Sequence, residues 1–156
     1  MNPTLLTQRV TSGDRKVIRR IASLMAFEAI TLAIAATLHL SGHVHGRSQP
    51  FNSDRAGIAE AIIGIALAAG AIAMVRAPSK ARTIGLVLNG LATVGFLNGL
   101  TMTARGGDLP DIAYHLVVLP VLIASFIVLL RAKDLTKAEG GSGGDAQGGG
   151  SPSAYE

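Results

Sequence analysis

Four long apolar stretches, Ile21–Leu40, Ile58–Val75, Ile84–Met102 and Ile112–Leu130, leave this chain few folds to choose from. Each approaches the 20 or so residues that a helix needs to cross a bilayer core of about 30 Å. A helix packed on a soluble core has one apolar and one polar face; these stretches are apolar nearly all round. The loops between them are short, so consecutive helices must run antiparallel and side by side. The expected fold is therefore all-α: a membrane-spanning, up-down-up-down four-helix bundle. Three regions follow, a basic N-terminal segment (1–17), a transmembrane domain (18–132) and a Gly/Ser-rich tail (133–156). The tail has too little apolar surface to offset its ordering entropy, and disorder is expected there, as it is for the patternless residues 1–11.

Charge sets the expected orientation. Only 15% of the residues are charged, against about 25% in ordinary soluble domains. The N-terminal tail carries Arg9, Arg15, Lys16, Arg19 and Arg20. The loop between spans two and three carries Arg76, Lys80 and Arg82, and the C-terminal flank carries Arg131, Lys133 and Lys137. The other two loops hold the remaining three of the 14 Lys and Arg, namely Arg47, Arg55 and Arg105. Basic segments resist translocation and collect on the cytoplasmic side. Both termini are thus expected in the cytoplasm of a plasma-membrane protein, with loops 42–55 and 103–111 outside. This distribution also accounts for a pI near 10 without nucleic acid, for which no aromatic stacking platform is present.

The absence of cysteine excludes disulfides, thiolate metal sites, iron–sulfur clusters and cysteine nucleophiles. The first apolar run has the basic front of a signal peptide, but it is too long for a signal core and no small-x-small site follows it cleanly, so a retained span is expected. Small residues recur in spans two and three, with Gly95 and Gly99 at GxxxG spacing. They allow close helix packing inside the bundle, or pairing with a second copy or a membrane-complex partner. Pro120 removes one backbone hydrogen bond inside span four and is expected to kink it.

Ionisable groups inside a membrane are costly and invite a functional explanation. Counting depth along antiparallel spans separates two layers. The outer layer holds His39, Glu60, Asn98 and His115. His43 follows His39 by four residues, on the same face if that helix continues, and His45 lies just beyond. The inner layer holds Glu28, Asn89 and Ser125. The outer layer has several readings: an interhelical hydrogen-bond network that sets register, a divalent metal site, a haem site, or a proton relay. Imidazole and carboxylate suit zinc, copper or nickel, with His39, His43, Glu60 and His115 as ligands. Bis-histidine haem through His39 and His115 fits poorly because both lie shallow. Glu28, the deepest acid, reads either as a carboxyl bonded to Asn89 or Ser125, or as a proton-coupling carboxylate. In architecture alone the chain resembles small multidrug exporters, which also carry an acid in their first span. It departs from them in lacking Trp and in its one-sided charge bias.

The runs Leu38-His39-Leu40-Ser41-Gly42, Gly57-Ile58-Ala59-Glu60-Ala61 and Thr103 through His115 resemble uncharacterised four-helix integral membrane proteins of actinobacteria. The resemblance covers roughly residues 20–131 and implies a small polytopic plasma-membrane protein, with no activity attached. No segment carries an established catalytic motif. The expectation is a non-enzymatic membrane protein with an outward-facing polar site for an ion, small ligand or partner. The alternatives are a proton-coupled transporter using Glu28 or a redox or enzyme-complex subunit.

Overall fold

A computed structural model describes residues 12–141. Four helices follow one another: α1 (Ser12–Leu40), α2 (Ser53–Arg76), α3 (Ala81–Gly106) and α4 (Leu109–Gly141). All four are long and apolar enough to cross a membrane. The chain is an all-helical, up-down-up-down bundle of membrane-spanning length. The apolar surface is turned outward as well as inward. Phe27, Ile34, Ile62, Ile65, Val94 and Val117 are among many large exposed apolar side chains. A water-soluble monomer does not tolerate a patch that encircles it; a bilayer requires one.

Local sequence sets the helix ends. α1 stops in a Schellman turn: Gly42 takes a left-handed φ of 73°, its N–H reaches the His39 carbonyl, and the His43 N–H reaches the Leu38 carbonyl at 3.0 Å. This stop overturns one expectation. The helix does not continue to His43, so His43 leaves the face of His39. Asn52 caps α2 by accepting the Arg55 N–H at 2.9 Å. The Ala77–Lys80 turn joins α2 to α3. Asp108 precedes α4 and its carbonyl accepts the Ile112 N–H. Its carboxylate turns instead to Arg47, at 3.3 Å. Pro120 sits inside α4, which continues through it.

α4 also outruns the expected end of the transmembrane domain. It is helical to Gly141, so residues 133–141 of the expected disordered tail continue the helix past the membrane-spanning part, which ends at Ala132. Propagating an existing helix costs little, and Ala, Leu, Lys and Glu are good helix formers until the Gly pair at 140–141. The rest of that tail, and residues 1–11, lie outside the described residues.

α1 packs chiefly on α2, α2 on α3, and α3 on α4. Glycines permit the close approaches. A Cβ on Gly57 would lie 3.0 Å from the His39 Cβ, and one on Gly64 would lie 3.2 Å from the Leu32 Cβ. α1 occupies the space at both: Gly57, with Leu40 Cγ only 2.8 Å from the added Cβ, leaves no room, and at Gly64 the neighbour must give by a few tenths of an ångström. The core they enclose includes Met25, Leu32, Leu67, Met74, Phe96 and Leu122. α1 and α4 meet more loosely. Long polar side chains bridge them, including Tyr114, whose hydroxyl lies 3.0 Å from that of Thr31.

Candidate functional site

The end of the bundle that carries residues 41–52 holds a buried polar cluster. His39, in the last turn of α1, is 3% exposed. Its Nδ1 lies 2.8 Å from Glu60 Oε2 on α2. Its Nε2 lies 3.7 Å from Asp111 Oδ2, in the first turn of α4. A carboxylate oxygen only accepts, so Nδ1 carries the proton and donates to Glu60. In a neutral ring Nε2 then presents a lone pair toward Asp111. The same arrangement orients metal-bound histidines, in which one ring nitrogen donates to a carboxylate and the other faces the ion.

His115 stands one turn after Asp111 on α4. Its Nδ1 is 2.9 Å from the Asp111 backbone carbonyl and 3.4 Å from Asp111 Oδ1. The carbonyl fixes this tautomer too, with Nδ1 as donor. The other edge of the ring points at Gly99, where a Cβ would sit 2.5 Å from Nε2. Phe96 packs against the ring at a centroid distance of 5.2 Å. His115 is therefore a wedge between α3 and α4 that steadies Asp111, and its Nε2 faces helix backbone.

The loop closes over this cluster. Arg47 and Ser48 donate their N–H groups to the Gly106 carbonyl, at 2.7 and 3.2 Å. A Cβ on Gly106 would run into the Ser48 carbonyl. Ser53 Oγ donates to the Val44 carbonyl. These bonds pull buried Phe51 over His39, with ring centroids 5.9 Å apart. Apolar rings thus cap the cluster on the loop side and line it near Phe96.

One atom from each of His39, Glu60 and Asp111 lies within 4.8 Å of the other two. Three buried atoms at this end have no hydrogen-bond partner: His39 Nε2, Glu60 Oε1 and Asp111 Oδ2. Each belongs to a different one of those three residues. An unpaired buried polar atom costs about 1–3 kcal/mol, so three together demand an explanation.

The structure brings together His39, Glu60 and, through Asp111, His115. It leaves out the other two expected members. His43 is exposed and pairs with the Ser41 hydroxyl at 2.8 Å. Asn98 is exposed beside Ile62, Leu91 and Val94. Asp111, in the first turn of α4, joins the cluster although the depth count does not include it. The usable signal was its spacing: residues four apart share a helix face, so an inward His115 carries Asp111 inward.

The inner layer is buried as expected, but its bonding is not. Glu28 is 3% and Asn89 0% exposed, and Ser125 is also buried. Neither carboxyl oxygen of Glu28 and neither amide atom of Asn89 has a hydrogen-bond partner among the described residues. The expected bond from Glu28 to Asn89 or Ser125 is not formed. No protein-family model, curated protein or solved structure matches this chain. Fold and site define a class, multi-pass helical membrane proteins with a buried histidine–carboxylate cluster, and the function must be argued from that cluster.

Proposed function

We propose that this chain is a non-enzymatic integral protein of the plasma membrane that binds a divalent cation at His39, Glu60 and Asp111. One observation carries the reading: each of the three residues keeps a buried atom without a hydrogen-bond partner, and one ligand atom from each lies within 4.8 Å of the other two. A cation between His39 Nε2 and Asp111 Oδ2, which lie 3.7 Å apart, would satisfy both of those unpaired atoms. One imidazole nitrogen and one carboxylate, with a second carboxylate behind the ring, suit zinc or a similar first-row ion. His39 Nε2 and Asp111 would be ligands, and Glu60 would both orient His39 through Nδ1 and contribute negative charge. The distribution of Lys and Arg favours cytoplasmic termini, which would put the site on the outer side.

Elemental analysis tests it. Protein purified in mild detergent, loaded with zinc and desalted, should retain about one zinc per chain. His39→Ala and Asp111→Asn should each lose it while keeping the helical circular dichroism signal. A metal-free wild-type protein would point to a proton on His39 Nε2 between two carboxylates, and the cation reading would fall.

A second reading rests on Glu28. A carboxyl group 3% exposed, with both oxygens unpartnered, suits a group that takes up and releases a proton during transport. In proteoliposomes, zinc-driven proton release should disappear in Glu28→Gln. Equal release by that variant would remove Glu28 from the mechanism.

A further inference from the structure

The seam between α1 and α2 carries a groove on the outside of the bundle. Its first section, about 510 Å³, opens at the end opposite His39. Arg19 of α1 and Arg76 of α2 both line it, together with Ser23 and the apolar Ala22, Ala71 and Val75. A second section, about 580 Å³, continues along the same seam toward Leu40. Ala26, Ala71 and Ile72 belong to both sections, so the groove is continuous. Small residues form its floor, notably Ala29, Ala33, Gly64 and Ala68, and exposed Ile30 and Ile65 form its walls.

We infer that this groove binds an anionic phospholipid, with its phosphate between Arg19 and Arg76 and one acyl chain along the alanine floor. Charge complementarity selects this occupant. Both guanidinium groups line one cavity, and no carboxylate lines it with them. Among the described residues neither arginine forms a salt bridge, whereas Arg47 at the opposite end is paired with Asp108. A guanidinium fork matches two phosphate oxygens, and the Ser23 hydroxyl adds a third donor. Depth agrees as well. From Arg19 to Ile30 the helix rises about 17 Å at 1.5 Å per residue, the depth of one leaflet of a core about 30 Å thick. A headgroup at the arginines therefore puts its acyl chain where the groove is apolar. The site is independent of the cation cluster and stands whether or not that cluster holds metal.

Native mass spectrometry of detergent-released protein tests the assignment. The probe is an equimolar mixture of phosphatidylglycerol and phosphatidylcholine with identical acyl chains. Wild type should retain phosphatidylglycerol in preference. The R19A/R76A double variant should retain about tenfold less, and K80A/R131A, which removes two charges from the same end but off the groove, should match wild type. Ala33→Leu fills the floor without touching either arginine and should also reduce retention. Several results would overturn the assignment: equal retention of the two lipids, equal loss in K80A/R131A, or displacement of phosphatidylglycerol by excess inorganic phosphate. Crosslinking of a second copy across the groove in place of lipid would do so too. Unchanged helical circular dichroism in each variant separates lost binding from lost fold.

Discussion

One added methyl group at Gly99 probes how His115 is held. A Cβ there would lie 2.5 Å from Nε2 and 3.2 Å from Cδ2 of the ring, where ordinary contact begins at 3.4 Å. The ring must retreat by about 0.9 Å to relieve the clash. It has no free direction. Nδ1 is tethered to the Asp111 carbonyl at 2.9 Å, and Phe96 and Tyr114 pack at centroid distances of 5.2 and 6.0 Å. Overpacking of this kind costs about 1–3 kcal/mol, and replacing a helical glycine by alanine returns about 0.5–1 kcal/mol. The net loss is centred on about 1 kcal/mol, within about 0–2.5 kcal/mol, or a fall in thermal midpoint of about 2–4 °C. Gly95→Ala is the matched control from the same GxxxG pair. Its Cβ would meet Ile63 Cδ1 at 2.6 Å, the far end of a flexible side chain that can swing aside, so that variant should be neutral or slightly stabilising. Thermal unfolding in detergent measures both, and imidazole NMR signals report the ring. Gly99→Ala as stable as Gly95→Ala, with unshifted His115 signals, would show that the ring is not confined.

Other expectations follow from the same geometry. Glu60→Leu leaves the buried His39 Nδ1 without its acceptor and should cost about 1–3 kcal/mol, whereas Glu60→Gln keeps an acceptor and should be milder; denaturation midpoints separate the two. Phe51→Ala removes the apolar cap and should cost about 3–4 kcal/mol, with faster zinc release to a chelator in stopped flow. Arg47→Ala breaks an ion pair whose partners are 63% and 34% exposed. It should shift stability by under about 1 kcal/mol, because main-chain bonds to Gly106 still hold the loop; a thermal melt measures it. Zinc affinity should fall as pH falls, by about tenfold per pH unit once His39 protonates, since a proton competes with the ion for Nε2; isothermal titration at several pH values reads the slope.

The bundle was legible in the sequence because a membrane leaves backbone few options. An apolar run of about 20 residues must satisfy its own hydrogen bonds, and a helix does so. Helix ends were legible where Gly42 and Asn52 mark them. Depth along each span was legible too, and it placed His39, Glu60 and His115 at one level. The angular position of each side chain was harder to read, because spans that are apolar all round give little sign of which face turns inward. Asn98 illustrates the gap. It has the right depth, but on α3 the buried positions include Asn89, Ala92, Phe96 and Thr103 and not Asn98. Two residues beyond Phe96 is a turn of about 200°, which points Asn98 outward. His43 failed on one dihedral angle, the left-handed Gly42, which ends α1 before it can carry a second histidine onto the face of His39. Asp111 was hidden because an acid in the first turn of a helix is already accounted for by the helix dipole. Its spacing of four residues from His115 was the signal that turns it inward.

X-ray absorption at the zinc edge of zinc-loaded protein tests the central claim most directly. A site built on His39, Glu60 and Asp111 predicts a first shell of nitrogen and oxygen near 2.0–2.2 Å, including an imidazole scattering pattern that disappears in His39→Ala. Zinc bound with an oxygen-only shell, or an imidazole signal that persists without His39, would contradict it.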